Sequence, residues 1–335
     1  MPAASTPDTL EEAPPAPAAR TDDRASFRLA VFGALLVVTL FAGYGIGRIS
    51  GTPTGSGPTA PHAGITGMAG MPGMTVDESQ PHQHNADGTI TYGGTTVNGT
   101  GAAVGGLSLS ADGLTLMPAT TAFSPGRRQR LSFRITGAGG APVTTYAIVH
   151  DKPLHLIVIR RDLSGYQHLH PTMAPDGTWS VGLTLAAPGS YRAIADFTAI
   201  VGGKQVTATL GTDLTVAGSY APLALPAPVQ QVTNQGFTVS YEPTPRTDST
   251  QPVLVTVTAS DGKPAALQPY LGAFGHLVML RDGDLGYVHL HPEAQLVDGK
   301  VKFWLAAPGP GAYRMFFDFQ VAGRVHTAAW TAVVG

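Results

Sequence analysis

A stretch of one half of this chain returns in the other half with the same framework of residues. His155-LIVIRRDLSGYQ-His168-Leu169-His170-Pro171 is matched by His276-LVMLRDGDLGYV-His289-Leu290-His291-Pro292 at a constant offset of 121. A second match follows, Pro188-Gly189-Ser190-Tyr191-Arg192 to Asp196-Phe197 against Gly311-Ala312-Tyr313-Arg314 to Asp318-Phe319, with the offset now 122 because of one extra residue near Pro310. Self-similarity at a fixed period means two copies of one structural unit. The copies fall at 106–218 and 229–335, joined by a Pro-rich linker at 219–228.

Within a copy the apolar residues alternate over short runs separated by Gly, Pro and Asp. The runs are Gln129 to Ile135, His155 to Arg161, Tyr166 to His170, Thr178 to Leu185, Tyr191 to Ile200 and Gln205 to Val216. Period-two alternation at this spacing predicts antiparallel strands, and no helical period lies between them. The expected fold is all-β: two tandem immunoglobulin-like or cupredoxin-like β-sandwiches. Tyr191 and Tyr313, each just after a Gly-containing turn, suit the tyrosine corner of such a sandwich. Gly 42 and Pro 28 in 335 residues favour the same loop-rich, strand-rich fold.

Composition removes several functions. With Cys 0, no disulfide, thiolate metal site or thiol nucleophile is possible. Charged residues make up 13% and the net charge is −2, so a nucleic-acid partner, which needs a dense basic surface, is not expected. The chain has no GxxxxGK[ST], GxSxG, HExxH or strand-following GxGxxG, so the sequence points away from an enzyme. Asp282-Gly283-Asp284 lacks the closing Glu of a calcium loop and reads as turn chemistry.

The N-terminal third has a different character. Residues 1–26 are rich in Pro, Ala and acidic side chains and read as a disordered cytoplasmic tail. Leu29 to Gly47 carries no charge over 19 residues, about the minimum for a membrane-spanning helix, placed at 27–49. Arg20, Arg24 and Arg28 precede it and only Arg48 follows closely. The positive-inside bias then makes the chain a single-pass plasma-membrane protein with its C-terminal domains outside the cytoplasm. A cleaved signal peptide is the competing reading, against which stand the length and acidity of the leader. Residues 50–105, dominated by Gly, Thr and Pro, form a flexible tether.

Strand geometry gives the histidines their interest. Side chains two apart on a strand share a face, so His168 pairs with His170, and His289 with His291. An even hairpin loop around Asp162 to Gly165, with pair numbers summing to 327, sets Ile159 opposite His168 and Ile157 opposite His170. His155 then shares their face, diagonal to His170, and His276 stands likewise in the second copy. An odd loop would turn His155 away. Asp196 and Asp318 are candidates for a fourth ligand, or for the acceptor that holds a ligating imidazole. The alternative is structural: the same face carries Ile157, Ile159 and Tyr166, as a core face would. His150 and His326 have no counterparts in the other copy and read as local packing or surface.

The tether adds Met68, Met71 and Met74, flanked by His62, His82 and His84. Thioethers select Cu(I) and imidazoles suit Cu(II) and Zn(II), so the combination favours copper, with zinc as the alternative ion. A low-complexity linker in which Met is a small apolar filler is the competing reading.

With its His-x-His-Pro hairpins and Met/His tether, the chain resembles bacterial membrane-anchored, extracytoplasmic β-sandwich proteins with HLHP-type signatures that handle copper or other heavy metals. The resemblance covers about residues 106–335 and implies that His155, His168, His170, His276, His289 and His291 are ligand positions. It also implies an envelope metal-transport or redox protein as a partner. The function expected is copper sequestration or delivery. The alternative is a structural or adhesive envelope module that contacts another protein through its sandwiches, its histidines serving as packing or as a pH-responsive surface.

Overall fold

Alternating apolar residues form strands because one face of each run can then be buried, and the first copy does this where the alternation predicts. In the computed structural model its strands are Arg128–Thr136, Leu154–Arg160, Gln167–Leu169, Thr178–Thr184, Gly189–Val201 and Lys204–Val216. The structure describes residues 104–247, 250–288 and 290–335, His291 by its backbone alone, and the backbone of three short strands, Thr66–Gly67, His82–His84 and Ile90–Tyr92. The described residues belong to one compact unit. No helix among the described residues is long and apolar enough to cross a membrane. Leu29 to Gly47 lies outside the described residues, as do the cytoplasmic tail, His62, Met68, Met71, Met74, the side chains of His82, His84 and His291, and all of His289.

Each copy is a sandwich of two mainly antiparallel sheets. In the first, one sheet runs in the order Thr172–Met173, Thr178–Thr184, Arg128–Thr136, Leu114–Pro118, Ser110–Ala111. The other runs Ala122–Phe123, Lys204–Val216, Gly189–Val201, Leu154–Arg160, Gln167–Leu169. The second copy repeats the plan with Gln231–Asn234, Phe237–Glu242, Gln251–Ala259, Val301–Leu305 and His291–Pro292 against Tyr287–Val288, His276–Arg281, Gly311–Val321 and Arg324–Val334. The corner tyrosines are as expected: Tyr191 donates its hydroxyl hydrogen to the Ala187 carbonyl at 2.9 Å and Tyr313 to Gly309 at 2.8 Å.

The strands that carry His155 and His276 are buried on both faces. Leu154, Leu156 and Val158 enter the first core with Phe133 and Trp179, and Leu277 and Met279 enter the second with Phe303 and Trp330. The side chains between them point the other way and form a third apolar cluster. It joins Ile157, Ile159, Leu163 and Ile194 of the first copy to Val278, Leu280, Leu285 and Phe316 of the second. Tyr166 stacks on Phe316 with ring centroids 4.0 Å apart and an interplanar angle of 2°. The histidine-bearing sheets therefore pack against each other, each supplying the same face, the arrangement of an isologous dimer within one chain.

The segments entering and joining the copies reinforce this contact. Gly105 exchanges both backbone hydrogen bonds with Tyr287 of the second copy, at 2.9 and 3.1 Å, and the next amide, Gly106, donates to Thr209 of the first at 2.9 Å. Gly106 has φ +74°, and a Cβ there would meet Ile194 Cγ2 at 2.7 Å, so only glycine fits. In the linker, the Leu223 amide donates to Asp162 Oδ2 at 2.7 Å and Leu225 packs against the third cluster.

The hairpin keeps the expected parity but not the expected register. Ile157 stands opposite His168 and Leu156 opposite Leu169, so the pair numbers sum to 325 rather than 327. This corrects the pairing of Ile159 with His168 and of Ile157 with His170. The turn is displaced because Leu163 takes the left-handed conformation, φ +62°, and buries its side chain among the interdomain residues. Asp162 holds the turn through the Ser164 amide at 3.2 Å and through Arg160.

Candidate metal centre

His155 lies on the outward face of its strand and is 4% exposed, with Asp196 as its neighbour on the adjoining strand. Its Nε2 is 3.0 Å from the Val149 carbonyl oxygen, and its Nδ1 is 3.0 Å from His168 Nε2. The other nitrogen of His168, Nδ1, is 2.9 Å from Asp318 Oδ2, a carboxylate contributed by the second copy. Both ends of this four-residue line are acceptors. The outer nitrogens are therefore donors, which leaves lone pairs on His155 Nδ1 and His168 Nε2 facing each other. Three contacts need three protons, and two neutral imidazoles carry two. A cation between the rings would satisfy both lone pairs at once.

His170 completes a triangle. The ligand atoms of His155, His168 and His170 lie within 4.8 Å of one another. Nε2 of His170 is buried without a hydrogen-bond partner among the described residues. Burial, then the neighbouring His168, His155 and Lys152, lowers its pKa to about 3, so this imidazole is neutral and its lone pair is available. A tetrahedral ion with metal–nitrogen bonds of about 2.0–2.1 Å separates its nitrogen ligands by about 3.3 Å. The His155–His168 separation of 3.0 Å is close to that spacing.

The second copy contributes to the same place. His276 stacks on His155 with centroids 5.3 Å apart and planes at 9°, and lies 4.6 Å from the His168 ring. His168, His276 and Asp318 form a second convergent set that shares His168 with the first. The two aspartates anticipated as ligands or imidazole acceptors are both at the interface. Asp318 accepts from Tyr166 at 3.1 Å and from Thr327 at 2.5 Å, and Asp196 accepts from Tyr287 at 3.3 Å and from Thr209 at 2.8 Å. Each tyrosine thus reaches the aspartate of the opposite copy. Burial first, then the facing carboxylate, raises the pKa of Tyr166 and Tyr287 well above the usual phenol value, so both stay protonated donors.

Of the sequence-predicted residues, the structure gathers His155, His168, His170, His276 and Asp318, with Asp196 behind His155. His150, read as local packing, also belongs here, its ring 6.0 Å from His155 and 5.8 Å from His276. The absence of His150 from the second copy hid it from any argument based on the repeat, although five residues before His155 is within reach of a turn. Tyr166 and Tyr287 had gone unassigned as polar partners, and their preserved offset of 121 was the available signal. His326 is packing as expected, accepting or donating at Nδ1 to Gln235 Oε1 at 2.8 Å and stacking on Phe319.

A family profile described as a domain of unknown function (DUF8832) matches residues 109–216 and again 230–335. No curated protein matches the sequence. Among solved structures, the chain is similar to FdeC, an Escherichia coli adhesin, with 18% identity over 76% of this chain and 80% of that one and a TM-score of 0.24. It is also similar to extracellular domains 3–5 of Drosophila OTK, with 10% identity, 70% and 67% coverage and a TM-score of 0.20. Tandem Ig repeats of Dlar match with 11% identity, 67% and 99% coverage and a TM-score of 0.18.

Proposed function

We propose that this chain, which belongs to the DUF8832 family and carries two of its domains, binds a transition-metal ion in the histidine cluster between its sandwiches. The ion is copper or zinc, held by His155, His168 and His170. The observation that carries this reading is the pair of inward-facing nitrogens 3.0 Å apart whose outer partners are a backbone carbonyl and a carboxylate. Ligating imidazoles characteristically donate their second N–H to such groups. Three neutral imidazoles and no thiolate suit Cu(II) and Zn(II), with copper ahead in intrinsic affinity. Tethered to the membrane by the apolar segment at 27–49 and displayed outside the cytoplasm, such a protein would store or deliver the ion. Its tether methionines would serve Cu(I), and an envelope transport or redox protein would be its partner.

A second reading, a structural or adhesive module, draws on a different observation. The His168–Asp318, Tyr166–Asp318 and Tyr287–Asp196 contacts all cross between the copies, so they also tie the two sandwiches together. Elemental analysis and thermal melting of residues 50–335 after copper and zinc loading separate the two. Metal binding predicts one firmly held ion per chain and a higher melting temperature, both lost in His155→Ala. An ion at 100 times its Kd stabilises the native state by about 2.7 kcal/mol. If excess Cu(II) and Zn(II) leave the wild-type melting temperature unmoved, the metal reading is abandoned and the structural one stands.

A further inference from the structure

Much of the cluster is almost sealed: His155 is 4% exposed and the side chains of His168 and Asp318 are each 3% exposed. An ion must nevertheless reach them. A pocket of about 230 Å³ opens on this region, lined by Tyr166, His168, Tyr270, Asp318, Val325 and Thr327 and, among the described residues, by no Lys or Arg. It meets His168 and Asp318, two members of the second convergent set, whose third is His276. We infer that Asp318, His168 and His276 form an outer cation position through which a divalent transition-metal ion passes to the inner set of His155, His168 and His170.

Three features support this assignment. The pocket wall carries a carboxylate, which attracts a dication, and its tyrosines remain neutral: burial, then Asp318, pushes the Tyr270 pKa up to about 12. The outer set pairs one carboxylate with two imidazoles, a donor combination suited to a borderline ion that still keeps water. His168 belongs to both sets and has a nitrogen on each side, Nδ1 toward Asp318 and Nε2 toward His155. One ring thus borders both positions, and an ion moving inward exchanges the carboxylate for a third imidazole. The inference rests on the metal reading above, and its tests fail separately from it.

The first test uses Co(II) as the probe in the full ectodomain, residues 50–335. In a His155→Ala/His170→Ala double variant the inner set is gone, and the outer position should retain one ion at least tenfold more weakly than wild type holds its own. Adding Asp318→Asn should remove that ion. The second test is kinetic and touches no ligand. Val325, one of the lining residues, is 48% exposed. Val325→Trp should slow Zn(II) uptake at least fivefold, measured by stopped flow against a chromogenic chelator, while the final metal content stays at the wild-type value. Val325→Arg should slow it too, with the effect shrinking as salt is raised. A double variant that is folded and binds no Co(II), or a Val325→Trp protein that loads at the wild-type rate, overturns the inference and leaves the inner site standing. Should the double variant be unfolded by circular dichroism, the Val325 rates decide alone. A wild type that takes up no ion overturns both readings.

Discussion

His170 is a residue whose protonation depends strongly on its surroundings. Burial, followed by the neighbouring His168, His155 and Lys152, lowers its folded pKa to about 3, whereas in the unfolded chain an imidazole titrates near ~6.5. The unfolded state therefore binds the extra proton first, and stability present above pH ~6.5 is lost as pH falls toward 3. For metal-free protein the melting temperature should decline over that window, and His170→Gln should flatten the decline. An equally steep profile in the variant would show that another group carries it. Asp318 acts on the same ring system from outside. Asp318→Asn keeps an oxygen acceptor but loses the charge that fixes His168, so metal affinity should fall about 10–100-fold, measured by competition with a chelator. Unchanged affinity would mean that the carboxylate does not orient the imidazole.

At the scale of elements, the hairpin between Leu154–Arg160 and Gln167–Leu169 decides which side chains meet. One residue inserted after Leu163 changes the parity of the pairing and turns His168 and His170 away from His155. Metal uptake should then drop to the level of His170→Ala, provided circular dichroism shows the strands intact; retained uptake would rule out the facing geometry. The corner tyrosines are a separate, purely structural feature. Tyr191→Phe loses the hydroxyl donor to Ala187, and a buried hydrogen bond of this kind contributes about 1 kcal/mol. Chemical denaturation should register that loss with no change in metal content.

At the scale of the whole molecule, the two sandwiches share one polar cluster and one apolar one. Phe316 is 4% exposed only because Tyr166 and the first copy cover it. Phe316→Ala should cost about 3 kcal/mol, the low end for truncating a buried Phe, and the loss should fall on the contact between copies. Small-angle scattering should show a larger radius of gyration, and calorimetry two separated transitions in place of one. If the single transition merely moves to lower temperature, the copies are cooperative through other contacts, such as the Gly105 strap and the docked linker. The same variant should weaken metal binding, since His168 and Asp318 come from different copies.

Features that rest on local periodicity are legible before the chain folds. The 121-residue offset defines two copies, period-two alternation defines their strands, and the two-residue spacing puts His168 and His170 on one face, which His155 joins only through the pairing of the folded hairpin. The corner positions of Tyr191 and Tyr313 follow from the turns before them. What that histidine face meets depends on how the two copies pack. Ile157, Ile159 and Tyr166 marked it as a core-like surface, but no local pattern says that the covering layer is the other copy, because a strand buried on both sides shows no alternation to read. The two-residue displacement of the hairpin register has the same origin, since Leu163 turns inward for apolar residues more than 100 positions away. His276 and Asp318 were expected beside a separate set of histidines in their own copy. They lie instead against His155 and His168, because the two copies bury their like faces together, and burial is a property of the assembled surface rather than of any single strand.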